Sequence, residues 1–414
     1  MQTLVERGCG LDVHQATVVA CLLIVRKDGK VRKQMRTFGT TTRELLSLRE
    51  WLLSEGCTHA AMESTGVYWK PVYAILEGGL EIVVANAQHV KKVPGRKTDV
   101  KDAEWIADLL CHGLLRSSFV PPKPIRELRD LTRYRRKLVE SQAAERNRLL
   151  KLLETANIKL ASVATDVFGV SGRLMLEALV EGKSTPQEMA ELAKGRLRQK
   201  IDELGPALEG KLEEHHRFLL RLQLHRLEAA EKDLAVLEQR LQEKLKPYEG
   251  QLTLLDEIPG VDWTLAAVII AEMGVDMSVF GSVSQLASWA GVCPGNNESA
   301  GKHRSGRTRK GSKELCAVLT ECAWAAGRTN TYVGAQFHRF HRRFGKKGGH
   351  KAATATAHTL IVIIWHVLAE TTAYRDLGSD YFTRHIDSPD ARKRRLIREL
   401  EALGHKVSIE PTVA

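Results

Sequence analysis

The chain has 414 residues, 43% of them hydrophobic and 27% charged, the composition of a folded protein of two or three domains and not of a disordered one. Its 62 Lys and Arg exceed its 50 Asp and Glu, a formal charge of +12 that favours a polyanionic partner, nucleic acid or an acidic membrane surface. The longest apolar runs, residues 265–271 and 360–365, fall short of the roughly 20 residues a membrane helix needs, and Glu6, Arg7 and Asp12 interrupt any signal-peptide core. Seven scattered cysteines with no CxxC pair argue against a disulfide framework or a Cys-type zinc site and predict a reducing, cytoplasmic setting.

The first hundred or so residues alternate between strand and helix signals. Residues 9–13 form a short apolar run. Residues 17–25 are rich in β-branched side chains and end at Asp28-Gly29, a hairpin turn into a return strand over 31–38. Thr41 or Thr42 caps a predicted helix through Leu45, Leu46, Leu48, Trp51 and Leu52, closed by Gly56. A strand over 59–62, a helix over 68–76, a strand over 80–84 and a helix from about Thr98 through Ile106, Leu109 and Leu110 complete the order. The succession β-β-β-α-β-α-β-α predicts an α/β domain with a mixed sheet.

From about Ile125 the pattern becomes helical, with Leu128, Leu131, Leu138, Leu149 and Leu153 marking long amphipathic segments. Leu220, Leu227, Leu234 and Leu241 repeat every seven residues, a coiled-coil seam that Pro247 ends. Such a seam serves equally as half of an intramolecular hairpin, packed on the helix near 130–155, or as one strand of a dimer. Residues 161–209 carry no motif. Around Ile258, Pro259 and Gly260 a helix, tight turn and apolar helix follow one another, a unit that sits on a phosphate backbone or merely packs.

The charge is concentrated. Between Lys302 and Lys351 stand 13 Lys or Arg against two acids, Glu314 and Glu321, so nearly the whole net charge lies there, with a second short run at 392–395. A solvated surface mixes signs; a block this one-sided predicts contact with a phosphate backbone. His338 and His341 lie within it at a metal-binding spacing, but the arginines around them favour an extension of the basic face. Trp289, Trp324 and Trp365, among alanines and aliphatic residues, read as core, as do Tyr68 and Trp69.

Four acids of the α/β region have a telling placement. Asp12 ends the first strand, where alternation with Leu11 and Val13 turns it away from its apolar neighbours, and Glu63 ends the fourth. Asp99 and Asp102 stand three apart at the start of a helix and project from one face. Each has a plain alternative as a cap, a helix-dipole charge or a surface ion-pair partner. Together they fit the RNase H-like arrangement of metal ligands, in which Mg2+ takes hard carboxylate oxygens and a pair of ions roughly 3.5–4 Å apart clamps a phosphoryl group.

The segments GLDVH (10–14), MESTGVYWKP (62–71) and KTDVKDA (97–103) resemble the RuvC-like DEDD domain of the IS-one-ten family of insertion-sequence transposases, and IPGV (258–261), LASWAGVCP (286–294) and ESAGK (298–302) resemble its C-terminal part. The resemblance covers roughly 5–115 and 250–370 and implies a DNA recombinase. It implies that Asp12, Glu63, Asp99 and Asp102 hold Mg2+ and that Ser299, by its place after Glu298, is a nucleophile toward DNA. It further implies guidance by a structured non-coding bridge RNA and a homo-oligomer, dimer or tetramer, in which the acids of one subunit meet the serine of another, acting on the nucleoid in a bacterial cytoplasm.

The chemistry can be weighed beside that. A serine hydroxyl is a weak nucleophile and needs a base or metal, and no base stands near Ser299 in the sequence. Lys302, Arg304, Arg307 and Arg309, with Lys310 and Lys313 beyond, suit a scissile phosphate. Ser305 and Ser312 lie in the same stretch and are rivals for the nucleophile. The expected organisation is an RNase H-like (RuvC-like) domain over 1–125, a helical coiled-coil region over 126–250, a mostly helical basic transposase domain over 251–375 and a basic tail over 376–414. The alternative function is a RuvC-like Holliday junction resolvase or nuclease that hydrolyses with water; a third is a non-catalytic nucleic-acid-binding protein.

Overall fold

The computed structural model describes residues 4–25, 30–86, 90, 102–295, 297–299, 302–308, 310–385 and 389–408. The predicted turn at Asp28-Gly29, the helix start near Thr98, and Asp99 and Arg309 lie outside these. The chain divides into two compact units, Met1–Val120 and Pro121–Ala414.

The first unit is the predicted mixed α/β domain. Strands β1 (Arg7–Val13), β2 (Thr17–Val25), β3 (Val31–Gly39), β4 (His59–Glu63) and β5 (Glu81–Ala85) form a sheet of order β3-β2-β1-β4-β5. The first three pair antiparallel, whereas β1, β4 and β5 run parallel. Helix α1 (Thr42–Ser54) begins where the Thr41 hydroxyl accepts a hydrogen bond from the Glu44 N–H, and the chain turns away at Gly56 with φ +69°. Together with α2 (Trp69–Leu76), α1 covers one face of the sheet over Leu11, Leu22, Leu48, Met62 and Leu76, all fully buried. Helix α3 (Asp102–Cys111) covers the other face, with Ala103 and Ala107 against Cys21 and with Ile106 and Leu110 against Ala61.

Two long helices, α4 (Lys123–Thr155) and α5 (Glu214–Leu245), dominate the second unit, each about 50 Å long at 1.5 Å per residue. They pair within the chain: Leu220, Leu224 and Leu227 close on Leu149 and Leu153, and Arg135–Glu238 (2.8 Å) and Lys244–Glu127 (2.7 Å) flank the contact. Of the two arrangements open to the heptad, the hairpin is the one that buries the seam, with Leu234 only half-buried. The motif-free stretch over 161–209 folds as short helices whose Val167, Met175, Leu176, Met189 and Leu204 cap that end of the hairpin in one apolar core.

The remainder is a helical bundle: α6 (Glu249–Asp256), α7 (Trp263–Met273), α8 (Val283–Ala290), α9 (Lys313–Ala326), α10 (Tyr332–Phe344) and α11 (Gly349–Glu370), followed by α12 (Tyr381–His385) and α13 (Pro389–Ala402). A two-stranded hairpin, β6 (Asn297–Ser299) and β7 (Lys302–Ser305), stands between α8 and α9. At 22 residues and mean hydropathy 1.6 over its most apolar window, α11 is long and apolar enough to cross a membrane, a length the apolar runs alone concealed because Ala and Thr fill its first half. Instead it is a bundle core helix, with Ala352, Ala357, Leu360, Ile361 and Ile364 buried. The turn at Gly260 (φ +86°) is a packing turn: a Cβ there would lie 2.3 Å from the Cys322 carbonyl oxygen of α9. Trp324 and Tyr68 depart from their predicted core role: Tyr68 is 42% exposed, and Trp324 is 37% exposed, its ring 5.2 Å from Phe337 and 5.8 Å from His350.

Candidate active site

Three of the four predicted metal-ligating acids fall among the described residues; strand register brings Asp12 and Glu63, and helix packing brings Asp102, to one end of the sheet on one face. Leu11 pairs with Met62 in the parallel β1–β4 ladder, so Asp12 and Glu63 stand side by side one step further on, at the carboxyl ends of adjacent strands. The antiparallel partner of Asp12 is Val19, which packs toward α3; the partner of Glu63 is Ala85, which packs on Leu109 of α3. Since ladder partners share a face, both acids lie on the α3 side.

Helix α3 supplies the third. A Cβ on Gly10 would lie 2.1 Å from the Ala103 carbonyl oxygen and 2.4 Å from the Ala107 nitrogen, so the helix rests directly on β1. At its other end the Cys111 sulfur lies over Gly8, so α3 runs antiparallel to β1. Its first residue, Asp102, therefore comes to the end of the sheet that carries Asp12 and Glu63. Gly10 makes this approach possible, because a side chain there would meet the backbone of α3 and hold the helix off, whereas a Cβ on Gly8 would meet side-chain atoms alone.

These acids are accessible, as ligands for a solvent-borne ion must be. The Asp12 side chain is 29% exposed and one carboxylate oxygen lies 3.1 Å from His14 Nε2, while Glu63 accepts a 3.4 Å hydrogen bond from the Thr65 hydroxyl. Both are partners the sequence reading did not assign, although each sits two residues beyond its acid. A set of hard carboxylate oxygens, half-buried at a sheet end, fits a divalent cation by its donor chemistry. Among the described residues, the one group of three ligand atoms all within 4.8 Å of one another is elsewhere, at Glu213, His215 and His216; His338 and His341 are not in such a group.

Ser299 is the last residue of β6, opposite Lys302 of β7 at the turn end of the small hairpin. The side chains of Ser299, Lys302, Arg304 and Ser305 lie outside the described residues. The base of the hairpin is pinned by a bridge between Pro294 and Thr308 and by a 2.9 Å hydrogen bond from the Gly295 N–H to the Arg307 carbonyl. Arg307, Lys310 and Lys313 are exposed.

Ser312, one rival for the nucleophile, has its hydroxyl engaged by two partners. Its hydroxyl oxygen caps α9 by accepting from the Leu315 N–H, and the hydroxyl reaches the Glu272 carboxylate at 3.3 Å. Glu272 is 1% exposed and accepts from Arg133 Nε at 2.7 Å and Nη2 at 2.9 Å, with Arg129 at 3.7 Å. That hydrogen-bonded carboxylate raises the Arg133 guanidinium pKa, and Arg136 pairs with Glu314 in the first turn of α9. A buried charge network thus ties α4 and α7 to the start of α9, the helix that follows the serine hairpin.

A carboxylate set at the end of a mixed sheet and a separate basic helical unit define a protein that acts on a polyanion. Comparison with known families specifies which. Residues 9–158 match the DEDD transposase domain of the IS110 family, and residues 252–339 match the family described as transposase IS116/IS110/IS902. The chain belongs to the IS110 family of transposases, enzymes of DNA recombination that bind DNA. No curated protein matches it.

Proposed function

We propose that the protein is a Mg2+-dependent recombinase that cuts and rejoins DNA through a covalent serine–DNA intermediate, working as a homo-oligomer directed by a structured non-coding RNA. The observation that carries it is the convergence of Asp12, Glu63 and Asp102 at one end of the sheet, on the face covered by α3. With Asp99, these acids would hold the ion, which supplies Lewis-acid stabilisation of charge on a phosphate. His14 and Thr65 orient Asp12 and Glu63 through the contacts described. Functionally the chain reads as a catalytic domain over 1–125, a helical-hairpin region over 126–250 that links it onward, a serine-bearing domain over 251–375 and a basic tail.

In that scheme Ser299 Oγ forms a bond to phosphorus as the bond to one deoxyribose oxygen breaks; the serine proton leaves and the departing oxygen takes one up. A hydroxyl of a second strand then attacks the phosphoserine and returns the serine to its hydroxyl form. One phosphoester bond replaces another at each step, so water is not consumed. Lys302, Arg304, Arg307, Arg309, Lys310 and Lys313 bind and orient the phosphates. The RNA carries sequence choice, which accords with a basic block suited to backbones and not to a particular base sequence.

Denaturing gels of DNA incubated with the protein, its copurifying RNA and Mg2+ separate the readings. A covalent protein–DNA band that vanishes in Ser299→Ala and persists in Ser312→Ala supports the proposal. Free nicked ends without an adduct indicate the water-hydrolysing resolvase, and an adduct that survives Ser299→Ala transfers the nucleophile to Ser305. Loss of all strand cutting in Asp12→Ala, Glu63→Ala and Asp102→Ala, each with its fold intact, tests the carboxylate site.

A further inference from the structure

The bundle contains a cavity of about 980 Å3 at the foot of the β6–β7 hairpin, where Pro294 and Thr308, the residues that bridge its base, form part of the wall. That is ample for a nucleotide-sized occupant. The wall has two chemistries. Phe340 and Phe344, on successive turns of α10, hold their rings 6.3 Å apart and 21° from parallel. Arg307 and Lys351 stand at the same cavity with exposed side chains. Phe344 is exposed and Phe340 half-buried, and accessible aromatic rings beside cations are what an unstacked base and its phosphate require.

We infer that this cavity receives a single unstacked nucleobase of the DNA strand, stacked on the Phe340–Phe344 face, with its backbone phosphate on Arg307 and Lys351. The position beside the serine hairpin argues for DNA as the occupant, and that clause rests on Ser299 acting on DNA as proposed above. From Pro294 to Ser299 is five residues, at most about 17 Å of extended chain, which corresponds to about five nucleotides of one strand at 3.4 Å each. Holding a base out of the stack this near the cut would fix the register of the strand and keep the broken end from leaving. His358 lines the same space, and burial holds its imidazole below the ordinary value, so near neutral pH it offers a base edge one donor and one acceptor.

Stacking on an aromatic face is tolerant of sequence, so the test needs no knowledge of the target. Binding of the full-length Ser299→Ala protein, which cannot form the adduct, is measured at equilibrium to a 12-nucleotide oligo-dT, to an abasic strand of equal length and charge, and to that abasic strand with one thymine restored. The expected result is that oligo-dT binds about five- to a hundredfold tighter than the abasic strand and that one thymine recovers most of the difference. Phe344→Ala should abolish the difference, whereas Lys351→Gln should weaken all three strands alike; Phe344 is 39% exposed, and unchanged melting confirms its variant as folded. Equal binding of oligo-dT and the abasic strand overturns the inference, as does affinity that climbs steadily with each added base, or a base effect seen with oligo-U and not with oligo-dT. Because no cutting is required, failure of the serine scheme and failure of the pocket are read separately.

Discussion

Gly10→Ala tests the placement of the acids through a residue that touches no substrate. The added methyl would lie 2.1 Å from the Ala103 carbonyl oxygen and 2.4 Å from the Ala107 nitrogen, both backbone atoms of α3 that have no rotamer to change. Ordinary contact begins at 3.4 Å, so the helix must lift by about 1.3 Å where it crosses β1, carrying Asp102 with it. Overpacking of this kind costs about 1–3 kcal/mol of stability, and a displacement of about 1 Å at a reacting centre costs roughly a hundredfold in rate. Urea unfolding followed by circular dichroism reads the first quantity, and single-turnover DNA cutting with Mg2+ reads the second. Gly8→Ala is the control, since its methyl would meet the Cys111 sulfur at 3.0 Å, a Leu110 methyl at 3.3 Å and a Val5 methyl at 3.4 Å, side-chain ends that can give, at the far end of α3. A folded Gly10→Ala protein that cuts DNA as fast as the parent would refute the reasoning that Asp102 is held in place by this close crossing.

Glu272→Ala should cost about 3 kcal/mol, the lower end of the range for stripping one partner from a buried ion pair, because Arg133 is 45% exposed and can recover water. Glu272→Gln, which keeps an acceptor, should cost less; a loss under about 0.5 kcal/mol for the alanine variant in the same unfolding assay would remove the network as the tie between α4, α7 and α9. The cysteines give a pH-dependent test. Burial pushes Cys57 and Cys322 up to about 12 and Cys111 up to about 11, and a thiol reacts as thiolate, the form that dominates only above its pKa. Maleimide at pH 8 should therefore leave these three unmodified in the folded protein, react first at the half-exposed Cys293 and Cys316, and reach all seven in denaturant. Fast native labelling of Cys57, Cys111 or Cys322 would contradict the packing around them.

Much of the first unit was legible because its signals are local. A β-branched-rich run marked β2, the Thr41 cap and Gly56 bracketed α1, and Asp12 and Glu63 could be put at strand ends from their place behind apolar runs. The heptad was equally plain, yet a seam states only that it must be covered. Leu149 and Leu153, more than sixty residues away from Leu220 in sequence, decide that the cover is the chain itself.

The amino-acid order alone determined which residue types are present at which spacing: four carboxylates, a serine in a basic block, an apolar stripe at every seventh position. Tertiary structure alone decided which of them share a place. Parallel pairing of β1 with β4 and the rest of α3 on Gly10 join Asp12, Glu63 and Asp102 across ninety residues, and Glu272 claims Ser312 across forty. The cavity beneath the hairpin was likewise invisible, since Phe340, Phe344 and His358 look like any helix residues until α10 and α11 pack beside the strands. The physical reason is the same each time: hydrogen-bond register and close packing are relations between distant segments, and no window along the chain contains both partners.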